Sequence, residues 1–345
     1  MSHRDDPRHI APGSSAQDLS QVLNWLLKGS DLHHLRLRRD CGFTPRGLVI
    51  TILLWVWSEE STLKQGFVSA RQVARTLLRG GVPQSISYQA FTRLLVRWSD
   101  PLLVSLKSVF RRRMQTALKS HFRIAGFCVL GVDGSRVELP RTASNAEQFA
   151  PAAASKGGSK RRSRRKSRQS SASRRKKANG PQLWLTALWH AGTGLLWDWR
   201  IGPADSSERA HLQTMLEDLP EGALITADAG FVGYATWEAI LEAGHEFVIR
   251  VGGNVRLLKN LGYVRESQGT GCLWPDQQAR RRQPPLVLRL VQVHDGRQPW
   301  YLVTLVRSRR TLSDAKVGEI YRRRWGVEMF QAECTSRTRL YQLAA

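Results

Sequence analysis

From about Ala16 to Phe122 apolar residues recur every three to four positions, the period of helices that bury one face. The stretches SAQDLSQVLNWLLKG, TPRGLVITILLWVWSEE, SARQVARTLLRGG, SISYQAFTRLLVRWSD and PLLVSLKSVFRRRMQTALKS each read as a helix. Several open on Ser, Thr or Asp beside the apolar run, and Gly80-Gly81 and Pro101 punctuate the ends. Two of them, Ser69 to Arg79 and Ser85 to Trp98, are joined by the short connector GGVPQ and resemble a helix-turn-helix. The same spacing suits any helical bundle. Residues 1–15 carry no such period and read as a disordered tail.

At Gly126 the period changes. FCVLGVDGSRVELP reads as an apolar strand, a short turn and a second, alternating strand. PQLWLTALWHAGTGLLWDWRIGP reads as two strands around Ala191 to Gly194, SSERAHLQTMLEDLP as a capped helix, and ALITADAGF as a strand running into a loop. GYATWEAILEAG is then a helix and HEFVIRVG a strand. From Gly252 to Leu305 the chain is β-rich, with a hairpin around Asp295-Gly296. One last helix, SDAKVGEIYRRRWGVEMFQAEC, is capped near Ser313. The expected organisation is a helical domain over 16–122, a mixed α/β core over 123–251, a β-rich insertion over 252–306 and a core helix within 307–345.

Charge adds a partner to this outline. The 345 residues carry a net charge of +25, which is a statement about what the chain binds rather than how it folds. The tract from Lys156 to Lys177 holds twelve Lys/Arg and no acid, so the remainder is still basic by about thirteen, 25 − 12. The tract, in a Ser/Arg/Lys-rich stretch over 152–180, cannot build a core and reads as a solvated loop. Nucleic acid is the expected polyanion, held by counterion release. Twelve tryptophans and 41% apolar residues argue for a real core outside that loop. Four scattered cysteines form no CxxC pair, which excludes a zinc ribbon and suits a reducing cytoplasm. The polar N-terminus does not resemble a signal peptide, and the longest apolar run, Gly47 to Trp57, is too short for a bilayer.

Three acids stand out against this basic background. Asp133 follows the apolar CVLGV and precedes Gly134-Ser135; Asp228 follows ALITA and precedes Ala229-Gly230. An Asp before Gly is also ordinary turn chemistry. Two apolar strands that each end in an Asp would, as neighbours, bring both carboxylates to one rim. Converging carboxylates repel unless a cation sits among them, and oxygen ligands suit hard ions such as Mg²⁺ or Mn²⁺. The third acid, Glu328, lies in YRRRWGVEMF; Tyr321, Arg324 and Glu328 fall at i, i+3 and i+7 on one helical stripe. A surface Arg–Glu pair is the alternative reading. The apolar neighbours Val327 and Met329 suggest instead a partly buried acid that needs a partner or a metal.

At these residues the chain resembles bacterial insertion-sequence transposases of the DDE type, the "IS-four" family in particular. That family carries a first Asp in a DGS-like context, matched by VDGSR at Asp133, and a second in a D-x-G-F context, matched by ADAGFVGY at Asp228. Its Tyr-(2)-Arg-(3)-Glu-(6)-Lys signature is matched at Tyr321, Arg324 and Glu328, with Thr335 in the lysine position and Arg337 two residues beyond. The resemblance implies an α/β fold with an RNase H-like catalytic core, a β-rich insertion and an all-helical DNA-binding domain before it. It implies two Mg²⁺ or Mn²⁺ ions on Asp133, Asp228 and Glu328, with Tyr321 and Arg324 placing a phosphate or Glu328. It implies that Trp274 receives a base flipped out of the DNA end, with Arg280 to Arg282 on phosphates; core or loop packing is the alternative for Trp274. Arg161, Arg162, Arg164, Arg165 and Lys166 would hold DNA without sequence preference. The implied partners are double-stranded DNA, as terminal inverted repeats and target, and a second copy of the chain in a synaptic dimer. The implied setting is cytoplasmic and nucleoid-associated, with no membrane partner. The end at Ala345, soon after Glu328, implies a shortened C-terminal segment, and a catalytically dead DNA-binding relative is the alternative.

Overall fold

The computed structural model describes residues 16–149, 180–252, 262–267, 269–294 and 299–332. They form two compact units, one up to Lys119 and one from Ser120 onward. The first is helical: α1 Ala16–Leu26, α2 Pro45–Val56, α3 Leu63–Leu77 and α4 Tyr88–Thr116. Thr44, Thr62 and Ser87 cap α2, α3 and α4 by accepting backbone N–H groups of Gly47, Gln65 and Ala90. The core centres on Phe67 and Phe91, stacked 4.2 Å apart, with Trp55 edge-on to Phe91 at 5.3 Å. Two expected segments merge here. The helix from Tyr88 runs through Pro101 to Thr116 as one element of 29 residues. An internal proline costs about 3 kcal/mol. Phe91 on one side of it and Leu102, Val109 and Met114 on the other are all buried, and that packing offsets the loss.

The second unit opens with two short helices, α5 Lys119–Phe122 and α6 Ala143–Phe149, around the first strand. Its frame is a single nine-stranded sheet: β1 Cys128–Glu138, β2 Gln182–His190, β3 Leu195–Pro203, β4 Ala223–Ala227, β5 Glu246–Gly252, β6 Tyr263–Ser267, β7 Thr270–Trp274, β8 Leu286–Val293 and β9 Trp300–Thr304. The spatial order is β3-β2-β1-β4-β5-β9-β8-β7-β6. β1, β4 and β5 run parallel, and every other pairing is antiparallel. The segment expected as a β-rich insertion therefore extends the same sheet from β5 outward. The hairpin turn placed at Asp295-Gly296 lies outside the described residues, as do 152–179.

Helices cover both faces. α9, Asp314–Arg323, lays Val317, Ile320 and Tyr321 onto Val129, Leu224, Val248 and Leu302. Trp237 of α8, Tyr234–Glu242, packs on Phe247 of β5 at 5.2 Å, and α7, Glu208–Gln213, lies over β1 and β2. Successive side chains alternate faces along a strand. Val248 therefore faces α9 and Phe247 faces α8. No helix among the described residues is long and apolar enough to cross a membrane.

Two local expectations are corrected. VDGSR is not a strand, a turn and a strand: β1 is continuous, because Gly134 and Ser135 pair with Thr186 and Leu185 of β2 and so keep ladder partners. The last helix is interrupted. α9 stops at Arg323, a turn falls at Arg324, and helix 325–332 follows. Across the break, Arg324 N–H reaches Tyr321 O and Val327 N–H reaches Arg324 O, both at 3.0 Å, the tighter three-residue pattern.

That second helix sits very close to the sheet, and Gly326 permits it. A Cβ on Gly326 would lie 2.4 Å from Trp189 Nε1 of β2, whereas one on Gly131 of β1 would make an ordinary contact, 3.5 Å from Arg324 Cα. Phe330 packs on Trp189 at 5.5 Å, and Gln331 Nε2 donates to Asp133 O at 2.8 Å.

Two predictions follow from this packing. Gly326→Ala should gain about 1 kcal/mol from helix propensity alone. The contact with Trp189 reverses that sign, and denaturant unfolding should show a net loss of about 1–2 kcal/mol. Trp189→Ala in the same chain should cancel part of the loss. The second concerns His190, fully buried at the end of β2, stacked on Phe122 at 4.8 Å and accepting the Thr193 N–H at Nδ1. Burial pushes its pKa down from 6.5 to about 4. A depressed histidine is neutral in the folded state, so its contribution is present above pH 6.5 and is lost as pH falls toward 4. Thermal melts should show an acid-side decline of about 2–3 kcal/mol in this window that flattens in His190→Gln.

Candidate active site

The site forms where β1 outruns its parallel neighbour. β1 pairs with β4 only as far as Gly131–Thr226, whereas its ladder with β2 continues to Glu138. Past Gly131 the β4 side of β1 has no strand among the described residues, and Asp133 lies there. Alternation puts Asp133 on the face of Gly131, under Arg324. β4 ends at Ala227, and Asp228 caps a single 3₁₀ turn, Ala229–Phe231, accepting Gly230 N–H at 2.8 Å. Asp133 Oδ1 accepts Gly134 N–H at 3.0 Å. Adjacent parallel strands thus deliver two aspartates to one edge of the sheet.

Glu328 arrives from above, on the helix moored to Asp133 O by Gln331. Its carboxylate accepts Arg324 Nη2, one turn back. Arg324 is 8% exposed and lies over the Tyr321 ring at 5.4 Å; that ring meets Trp300 at 5.2 Å. Tyr321, Arg324 and Glu328 therefore form one continuous stack despite the break at Arg324. The apolar surround read from the sequence holds on one side only: Val327 is fully buried, but Met329 is 61% exposed.

Electrostatics ties the acids together. Burial pushes Asp133 up to about 6; Gly134 N–H and Arg324 oppose this, while Asp228 and Glu328 add to it. A further acid, Glu208 at the start of α7, is pushed up to about 7 by burial and then by Asp228 and Asp133, with Arg209 opposing. Nothing in the sequence singled out Glu208. After Ser207, SSER reads as a helix cap with an acid in its first turn, which is common at any helix start.

The donor set, carboxylate oxygen only, suits a hard divalent cation. It is not a finished cage. Among the described residues no three His, Cys, Asp or Glu side chains stand ready to hold a metal ion, and Glu328 is turned onto Arg324.

Trp274 takes the packing alternative in this structure. It is 8% exposed on β7, its Nε1 donates to Gln283 O at 3.0 Å, and its ring packs on Tyr263 at 5.9 Å. In this structure it is a packing residue, and its indole N–H already has a partner. Nearby, Arg280 lies over Tyr263 and donates to its hydroxyl. Arg161, Arg162, Arg164, Arg165 and Lys166, and with them Thr335 and Arg337, lie outside the described residues.

Residues 125–342 match the family model described as "Transposase DDE domain". No curated protein matches the chain. Among solved structures, the piggyBac transposase in a synaptic complex with hairpin DNA is similar at 10% identity and a TM-score of 0.38; the match covers 91% of this chain and 66% of that one. With more than half of its length in the matched region, and with two aspartates and a glutamate carried to one edge of a mixed α/β sheet, the chain belongs to the DDE-domain transposases.

Proposed function

We propose that the chain cuts and rejoins phosphodiester bonds at the ends of an insertion sequence, by two-metal catalysis on Asp133, Asp228 and Glu328. The observation that carries this reading is the meeting of Asp133 and Asp228 at the end of the β1–β4 parallel pair, with Glu328 held over them by a helix bonded to Asp133 O. The order β3-β2-β1-β4-β5, with β2 antiparallel to β1, supports an RNase H-like core continued by β9 to β6.

In this reading the three carboxylates would hold two Mg²⁺ or Mn²⁺ ions, which supply activation of the attacking hydroxyl and neutralisation of the leaving oxygen. The chain's own groups do the rest. Gly134 and Gly230 N–H groups fix the two aspartates. Arg324 is clamped between the Tyr321 ring and Glu328, so it holds the glutamate while a ligand is absent. Its planar fork is equally suited to a phosphate, and an approaching DNA strand would release Glu328 toward the aspartates by competing for it. Net positive charge draws DNA to the chain, and the helical unit and the basic tract are its expected docking regions. Two DNA ends need two active sites, so the active species in this reading is a homodimer.

A second reading, a DNA-binding relative without catalysis, is favoured by Glu328 being committed to Arg324. Cleavage decides between them. Duplex DNA bearing the element's own terminal repeats should be nicked in Mg²⁺ or Mn²⁺. Asp228→Asn should bind it unchanged but cut it at least about a hundredfold more slowly, a larger loss than an outer metal partner usually causes. Equal cutting by wild type and variant would remove the mechanism, and binding without any cutting by wild type would leave the second reading.

A further inference from the structure

Glu208 reaches the two aspartates from the face of the sheet opposite Glu328. α7 is pinned at two points: Arg209 Nε donates to Gly230 O at 2.7 Å, in the loop after Asp228, and His211 Nδ1 lies 2.9 Å from Thr186 Oγ1 on β2. Thr186 is the register partner of Gly134. The pinning drives the Glu208 carboxylate into space that two glycines leave open. A Cβ on Gly134 would stand 2.5 Å from Oε2, and a Cβ on Gly230 would stand 2.8 Å from Oε1. The Gly230 position is also 2.9 Å from Asp228 Oδ1, so the two carboxylates face each other across one small gap.

This carboxylate has no hydrogen bond or ion pair among the described residues. Arg209 is engaged on Gly230 O, and Arg324 on Glu328. Trp184 Nε1 lies 3.0 Å from the same Gly134 Cβ position, so a side chain at 134 would meet the indole as well as Glu208. An acid that only complemented the first turn of α7 would gain by staying in water; this one is half-buried against like charge, which is costly unless something positive arrives.

We infer that Glu208 is a fourth carboxylate of the cation site, binding divalent metal together with Asp133 and Asp228 from the face opposite Glu328. This rests on the metal-dependent reading above. Glycine at 134 and 230 is then a requirement of the site, because any side chain there would displace Glu208.

The test is calorimetric titration of the full chain with MnCl₂, without DNA, with folding checked by circular dichroism. Wild type should take up Mn²⁺. Glu208→Gln should weaken that uptake by about tenfold or more, Glu208→Asp should restore part of it, and Gly134→Ala should weaken it with every charge retained. If Glu208→Gln does not fold, Gly134→Ala and Glu208→Asp give the same reading. Mn²⁺ uptake unchanged in Glu208→Gln and Gly134→Ala but lost in Asp228→Asn would overturn the role of Glu208 and leave the three-acid site standing. No uptake by folded wild type would overturn both.

Discussion

The constraint on which the site depends is a mismatch in strand length. β1 continues past the end of β4 while still paired to β2, so its backbone stays fixed where one flank is open. Two effects follow. Asp133 is held as rigidly as any mid-strand residue, under Arg324 and beside the flank that β4 leaves open. Asp228, one residue past the end of β4, enters that space from the side. A strand that ended at Asp133 would have placed the same carboxylate on a mobile turn.

Everything else brings further groups to that opening at close range. Gly326 lets helix 325–332 approach the sheet, and Gln331 bonds it to the backbone of Asp133. Glycines 134 and 230 do the same for α7 on the other face. The cost is electrostatic. Acids crowd a half-buried edge, and Asp133 is pushed up to about 6 and Glu208 to about 7, with burial the largest cause of each. Arg324 relieves part of this by holding Glu328. The arrangement is a compromise among like charges, as the proposed cation site requires.

Much of this was legible in the sequence because it rests on local pattern. The helical period before Phe122, the apolar strands leading to Asp133 and Asp228, and the stripe Tyr321, Arg324, Glu328 can all be read by counting residues. What could not be read rests on distant partners. The continuity of β1 through Gly134-Ser135 depends on pairing with β2, which lies across the basic tract. The passage of α4 through Pro101 depends on a core assembled from other helices. The break at Arg324 is a matter of how two helical pieces seat on the sheet. Glu208 carries no signal of its own, because its meaning comes from Gly134, Gly230 and the two anchors of α7. For Trp274 the resemblance implied base stacking and the residues alone allowed packing; pairing of β7 with β6 sets its ring against Tyr263.

The most direct test of the central claim is an anomalous difference map from crystals of the chain grown with MnCl₂. A cation site at the open edge of β1 predicts a Mn²⁺ peak within about 2–2.5 Å of carboxylate oxygens of both Asp133 and Asp228. A map with no peak at that edge, or with the two aspartates pointing away from each other, would contradict it.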